Sequence, residues 1–291
     1  MTTPRRLTAS EKRLRLRNVV AGSDCLTPAS VYDAMSGRVA EEVGYELGML
    51  GGSVASAAAL AAPDLTVITL TELAGLVRSI CRNSNLALFV DADHGYGNAL
   101  SVRRTVEEQE HAGASGCSIE DTLLPARFGA KGEEIISTDE MVGKLKAAVA
   151  ARQDRNFIIA GRSTSVRHEG LEAAITRLKA YAATGVDLIF PIGVESLDQV
   201  RAIRDAVGLP IMLGMAPTFA SRDDLAQAGV RIMLQGHLPY AAAIETFRGV
   251  YEHLFAGGSP DALKPRLPSP EFLDAVLQVP DYKDWRKQTM E

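Results

Sequence analysis

Short apolar runs of three to five residues alternate with longer stretches of helical periodicity along most of the chain. The runs predict strands over residues 18–21, 46–50, 87–90, 116–119, 157–160, 188–191, 211–213 and 231–234. The periodic stretches predict helices over 30–43, 71–82, 100–111, 138–151, 171–183, 197–206, 222–228 and 240–255. Strand-then-helix alternation is the signature of a parallel sheet, and eight such units suffice to close an α/β barrel of the (β/α)8 TIM type. Gly44, Gly113, Gly185, Gly208 and Gly229 each follow a helical pattern, where a left-handed C-terminal cap favours glycine. Residues 257–270 are rich in Gly, Pro and Ser and read as a linker that carries a last helix near 270–277 away from the barrel. The expected division is a catalytic barrel over 1–256 and a linker with a helical tail over 257–291.

Composition narrows the class. The 291 residues suit one such barrel, and 46% hydrophobic content supplies its core. A net charge of −5 gives no electrostatic footprint for nucleic acid. The basic run from Arg5 to Arg17 alternates with leucines in its later part and reads as a solvated amphipathic helix. Cys25, Cys81 and Cys117 are odd in number and far apart, so buried, reduced thiols are expected rather than disulfides or zinc ligands. No run of about 18 apolar residues is present, and no apolar stretch of signal-peptide length follows Arg5 and Arg6. The expectation is a cytoplasmic protein without a membrane partner.

The polar residues that carry chemistry cluster after the strands. In Phe89-Val90-Asp91-Ala92-Asp93-His94-Gly95-Tyr96-Gly97-Asn98, Asp91 and Asp93 stand two apart and share a strand face. Converging carboxylates repel unless a cation lies between them, and hard oxygen donors suit Mg²⁺ or Mn²⁺. On the residues alone, carboxylates that merely cap the next helix explain the segment equally well. Because barrel chemistry sits at the C-terminal ends of strands, Gly51-Gly52-Ser53, Glu120-Asp121, Arg162 and Gly236-His237 are expected to meet Asp91 and Asp93 at one mouth. Gly51-Gly52-Ser53 offers unobstructed backbone donors and a hydroxyl to a carboxylate, or is a plain tight turn. Arg162 has the planar fork that binds a carboxylate or enolate, or is a loop arginine. His237, before Pro239, reads as a helix cap or a substrate contact. His94 reads as structural, and His111, His168 and His253 as surface or helix residues.

The Asp-Ala-Asp-x-Gly-Tyr-Gly-Asn motif, Ser118-Ile119-Glu120-Asp121, the Gly-Gly-Ser ending at Ser53 and the pair Pro63-Asp64 together resemble the isocitrate lyase and phosphoenolpyruvate mutase superfamily. The likeness runs from about Gly22 to Tyr251 and is strongest to the oxaloacetate decarboxylase branch, through Gly236-His237 and the segment around Phe128. It implies Asp91 as the direct ligand of Mg²⁺ or Mn²⁺, with Asp93, Glu120 and Asp64 holding the metal's waters. It further implies Gly52 and Ser53 on the substrate carboxylate, Arg162 as a substrate ligand, and His237 against the substrate. Family members exchange a terminal helix between subunits, which implies a homotetramer built as a dimer of dimers.

Superfamily lyases carry a Lys-Arg-Cys-Gly-like loop after strand four, whose cysteine moves a proton; here the loop reads Pro125-Ala126-Arg127-Phe128-Gly129. The mutase loop Lys-Thr-Asn-Ser is also missing. The implied reaction is therefore Mg²⁺-dependent decarboxylation of a small 2-keto dicarboxylate, oxaloacetate, to pyruvate and CO₂ through a metal-stabilised enolate. The alternatives are a carbon-carbon lyase of the methylisocitrate or 2,3-dimethylmalate type and a non-catalytic keto-acid-binding barrel. Three departures from the family pattern bear on substrate preference: Met49-Leu50 where a Tyr-Ser-like pair is usual, Ser163-Thr164 after Arg162, and Gly214-Met215-Ala216-Pro217-Thr218 in place of a Tyr-Gly-Asn-Pro segment.

Overall fold

The computed structural model describes residues 5–291. Eight parallel strands follow one another around the sheet in chain order: β1 (Ala29–Ser30), β2 (Leu47–Leu50), β3 (Ala87–Asp91), β4 (Gly116–Glu120), β5 (Ile158–Ser163), β6 (Leu188–Pro191), β7 (Ile211–Leu213) and β8 (Val230–Met233). The ring closes beside β1, where Leu26 bridges Ile232 through Leu26 N–H to Arg231 C=O and Met233 N–H to Leu26 C=O, both 2.9 Å. The fold is a (β/α)8 barrel.

Helices wrap the strands: α1 (Ala9–Ala21), α2 (Ala34–Val43), α3 (Gly52–Leu60), α4 (Leu70–Asn83), α5 (Ala99–Ala112), α6 (Thr138–Ala151), α7 (Ser165–Glu169), α8 (Leu171–Ala182), α9 (Leu197–Val207), α10 (Arg222–Gln227) and α11 (Leu238–Phe255). A short 3-10 turn, Pro260–Arg266, then leads to α12 (Pro270–Val276) and α13 (Val279–Met290). Starts follow the expected capping chemistry: Thr69 and Glu72 form a reciprocal box on α4, and Ser196 caps α9. Gly44 and Gly113 end α2 and α5 at φ 108° and 101°, a region costly for any residue with a Cβ.

Period-two alternation separates two cores. Leu88, Val90, Cys117, Ile119 and Ile159 point outward to the helix layer. Ala87, Phe89, Ile158, Ala160, Leu188 and Phe190 point inward and pack with Leu16 and Val20 of α1, which closes the barrel's N-terminal end. Each large apolar side chain so buried stabilises the fold by ~1.5–3 kcal/mol. The next inward positions, at the opposite end, are Asp91, Glu120 and Arg162.

Three expectations need correction. Residues 18–21 are the last turn of α1, not a strand; β1 lies later and has only two residues. The basic residues of α1 are not solvated: Lys12 donates to the carbonyls of Cys81 and Ser84, and Arg13 to those of Glu110 and Ala114, with exposures of 4% and 7%. They satisfy carbonyls around the barrel's N-terminal end. The helix near 270–277 does not stand clear of the barrel either, since Val276 is buried, α12 packs on α2, and Gln278 bonds Arg38. Among the helices of the barrel layer, the one left bare is α11, none of whose residues is buried.

Candidate active site

The first inward layer above the apolar interior is charged. Asp91 ends β3, Glu120 ends β4 and Arg162 lies one residue before the end of β5, so adjacent strands present them side by side. The Arg162 guanidinium bonds Asp91 through Nη1 and lies with Nε 2.9 Å from Glu120 Oε2. It sits over the Phe190 ring at 5.3 Å, so an aromatic face supports the cation from below. Burial alone would lower the arginine's pKa, but Asp91 and Glu120 outweigh it and the net shift is upward.

Asp93 follows the strand in a left-handed conformation, φ 48°. Its amide donates to Asp91 Oδ1 at 3.3 Å, and Tyr96 donates its hydroxyl to Asp93 at 3.3 Å. Ser118, inward on β4, donates to Asp91 Oδ1 at 3.2 Å. Three carboxylates thus face one guanidinium. Burial first, then repulsion from Asp91 and Glu120, raises the Asp93 pKa. Burial also raises Glu120, against the opposing pull of Arg162. Although Nε and Oε2 of the Arg162–Glu120 pair are close, the N–H does not aim at the oxygen, and both atoms lack a hydrogen bond.

Gly51-Gly52-Ser53 is not a simple turn. Gly51 caps α3 and the two residues that follow form its first turn, an amide-rich helix start of the kind that receives anions. The glycines also make room for neighbours. A Cβ at Gly52 would lie 2.5 Å from Asp93 Oδ1, and one at Gly51 would lie 2.5 Å from Cε1 and Nε2 of His237. His237 stands between β8 and α11, with Nδ1 2.7 Å from the hydroxyl of Ser30 at the end of β1. Burial lowers its pKa, while Asp91 and Asp64 act in the opposite direction. Asp64, on the loop after α3, is exposed at the rim; partial burial and then Asp91 raise its carboxyl, with Arg162 and His237 opposing.

Asp91, Asp93, Glu120 and Arg162 therefore form one contact network, with Gly52 against Asp93 and His237 over the neighbouring Gly51. Asp121 is not part of the mouth. It is fully buried behind β5, accepting from Ser163 Oγ at 2.6 Å and the Tyr181 hydroxyl at 2.7 Å. His94 is buried with Nδ1 unpaired, and its pKa is lowered to about 4 by burial and then Lys144. His111, His168 and His253, on outer helices, pair with the Glu107 carbonyl, the Glu133 carboxylate and the Ser259 carbonyl, away from the mouth. All three cysteines are free and buried. Phe128 stands fully exposed on the loop after β4, and Met215 is exposed after β7. Ser30 is the site-facing residue that sequence reasoning missed; placing the first strand at 18–21 hid it, and the usable signal was the Ala29-Ser30-Val31 segment between Pro28 and the helix start.

Residues 16–255 match the family described as phosphoenolpyruvate phosphomutase. An oxaloacetate decarboxylase of Bradyrhizobium diazoefficiens is 49% identical over 273 residues, 94% of each chain. Among solved structures, an oxaloacetate acetylhydrolase in complex with the inhibitor 3,3-difluorooxalacetate superposes with a TM-score of 0.83 at 26% identity, over 96% of this chain and 97% of that one. A 2,3-dimethylmalate lyase superposes with a TM-score of 0.81 at 26% identity, over 98% and 99%.

Proposed function

This chain belongs to the phosphoenolpyruvate phosphomutase family, and from that membership we propose that it decarboxylates oxaloacetate to pyruvate and CO₂ with a divalent metal ion. The single observation that carries the reading is the Asp91–Arg162–Glu120 constellation above a closed apolar barrel, in a chain nearly half identical to an oxaloacetate decarboxylase.

The donor set fits Mg²⁺ or Mn²⁺. All nearby anionic atoms are carboxylate oxygens, and Glu120 Oε2 is buried without a hydrogen bond. Among the described residues no three His, Cys, Asp or Glu side chains form a ready cage. That suits one direct ligand, Asp91, with Asp93, Glu120 and Asp64 holding the ion's waters. Bound there, the ion supplies a Lewis acid that draws electron density from the substrate's C2 oxygen.

The chain's own residues do the rest. Ser53 and the first amides of α3 receive the C1 carboxylate. As the C3–C4 bond breaks, its electron pair moves toward the C2 carbonyl, and Arg162 stabilises the negative charge that grows on oxygen. His237 faces the C4 carboxylate. CO₂ departs without taking a proton, so the loop after β4 needs no acid for that step and Phe128 is compatible with it; the enolate left behind then takes its proton at C3 from water to give pyruvate. A carbon-carbon lyase of the 2,3-dimethylmalate type shares the fold, but its departing fragment needs a proton-transfer group that Phe128 cannot be.

We assign residues 1–256, of which 1–4 lie outside the described residues, as the catalytic barrel and residues 257–291 as a tail, in a homotetramer that is a dimer of dimers. Support comes from α11, which leaves Ile244, Phe247, Tyr251 and Phe255 exposed, and from an adjacent apolar cavity of about 510 Å³ beside α2 that a neighbour's helix would fill. No described helix is long and apolar enough to cross a membrane. The unbridged buried thiols support placement in the reducing cytoplasm.

Oxaloacetate, 2-methylisocitrate and 2,3-dimethylmalate offered in parallel to the purified protein with Mg²⁺ test the substrate assignment. Turnover of oxaloacetate well above the other two is expected; faster cleavage of either branched acid would make the chain a carbon-carbon lyase.

A further inference from the structure

We propose that Ser30 and Gly51 form a seat that fixes the His237 ring, Ser30 acting as the positioning residue that places the ring's proton on Nε2. The proposal rests on the reading in which His237 meets the substrate's C4 carboxylate. Two independent contacts grip the ring. Ser30 Oγ lies 2.7 Å from Nδ1, and the opposite edge, Cε1 and Nε2, lies over Gly51. Among the described residues nothing else bonds the ring, so Nε2 is left for a ligand.

The glycine is there for the ring and not for its backbone. Gly51 has φ −81° and ψ 152°, open to any residue, yet an added Cβ would stand 2.5 Å from Cε1 and Nε2. Real contacts between such atoms need roughly 3.5 Å or more, so the ring would have to move by about 1 Å. Ser30 is equally specific. It is the last residue of β1, which bonds β2, so its hydroxyl is held by the barrel wall.

The tautomer follows from charge. Burial keeps the imidazole neutral more readily than in water, and a neutral ring has one donor and one acceptor. The substrate presents an anion, which needs a donor. If the serine hydroxyl donates to Nδ1, the ring proton must sit on Nε2, aimed at the ligand. A serine hydroxyl can also accept, so the donating arrangement is favoured by the negative charge of the site, from Asp91, Asp64 and the substrate; without Ser30 the Nε2-protonated ring loses its partner and part of the protein presents a lone pair to an anion, which repels it.

The test uses the full-length, Mg²⁺-loaded protein with ¹⁵N-labelled histidine, and His237→Gln identifies the His237 ring signals. The native ring should show the proton on Nε2. Ser30→Ala should give mixed tautomers and lower kcat for oxaloacetate by roughly five- to tenfold, the worth of one hydrogen bond, with a smaller change in KM. Ser30→Thr should restore both, since it keeps the hydroxyl and adds only one methyl group. Gly51→Ala should cost about 100-fold in kcat, as a misplacement near 1 Å does. A native ring protonated on Nδ1, or a Ser30→Ala protein that keeps both the Nε2 proton and native kcat, would overturn the proposal. Full turnover by His237→Ala would instead remove the catalytic reading of the histidine, while the ring signals still report whether the seat exists. Should Gly51→Ala not fold, the Ser30 pair alone decides.

Discussion

Replacing Arg162 by alanine should move metal affinity and turnover in opposite directions. In the free site the guanidinium is, among the described residues, the only cation in contact with Asp91 and Glu120, whose side chains are 12% and 7% exposed, with the arginine itself at 22%. Removing one partner of a buried ion pair typically costs ~3–5 kcal/mol. Part of that is recovered here, because Asp93 and Glu120 already hold their protons to higher pH than usual, so ~2 kcal/mol is expected for the metal-free protein. A divalent ion can replace the lost charge, and without the guanidinium it no longer competes for the same oxygens. Mg²⁺ should therefore raise the melting temperature of Arg162→Ala more than that of the native protein, and calorimetric titration should show tighter binding. Turnover should nevertheless fall by about 100- to 1000-fold, the cost of removing one charge-stabilising donor from the transition state. A variant whose Mg²⁺-induced stabilisation is no larger than native, or whose kcat is intact, would refute the view of Arg162 as both resident counter-ion and catalytic donor.

Asp91→Asn should abolish most Mg²⁺ binding by calorimetry, whereas Glu120→Gln should reduce activity by only about 10- to 100-fold; equal, mild effects would show that Asp91 is not the direct ligand. Gly52→Ala should act through Asp93, since the new Cβ would press on Oδ1 from 2.5 Å, and a native Mg²⁺ affinity in that variant would show the carboxylate to be irrelevant to the ion. The pH dependence has a definite sign. Asp93 and Glu120 have folded-state pKa values above their unfolded ones, so the folded chain binds more protons, and their contribution is full below the ordinary carboxylate range and lost as pH rises through the raised values. Stability of the metal-free protein should fall over that interval and the stabilisation by Mg²⁺ should grow, which thermal unfolding across pH with and without the ion would measure. His237→Ala should lose considerably more oxaloacetate turnover than His237→Gln, with both still binding Mg²⁺ and oxalate; near-native kinetics of the alanine variant would exclude the histidine.

The barrel was legible because β3 to β6, buried on both faces, read as continuous apolar runs between helical stretches, and within them side chains alternate, with Phe89 and Asp91, Ser118 and Glu120, and Ala160 and Arg162 on one face. The same alternation brings Asp91, Glu120 and Arg162 to one level. It also puts Asp121 on the opposite face, which a list of strand-end residues blurs. The first strand was not legible, since Val19 and Val20 give residues 18–21 a β-like composition while Leu16 and Val20, four apart, belong to one helix face that plugs the barrel. The true β1 is two residues of small side chains, held by β2 and offering no apolar run. The helix α3 was missed because Gly51 and Gly52 look like a turn, and the reason for the glycines lies in Asp93 and His237, which no local pattern reveals. For α1, buried cations that bond backbone carbonyls look like a solvated basic face until the barrel end is assembled.

Metal-dependent decarboxylation is tested most directly by following pyruvate release from oxaloacetate in four parallel reactions: protein with Mg²⁺, protein with EDTA, the EDTA-treated protein after Mg²⁺ is restored, and Mg²⁺ alone. The account predicts saturable pyruvate formation far above the metal-only rate, lost with EDTA and recovered with Mg²⁺. Pyruvate release no faster than with the ion alone would contradict it.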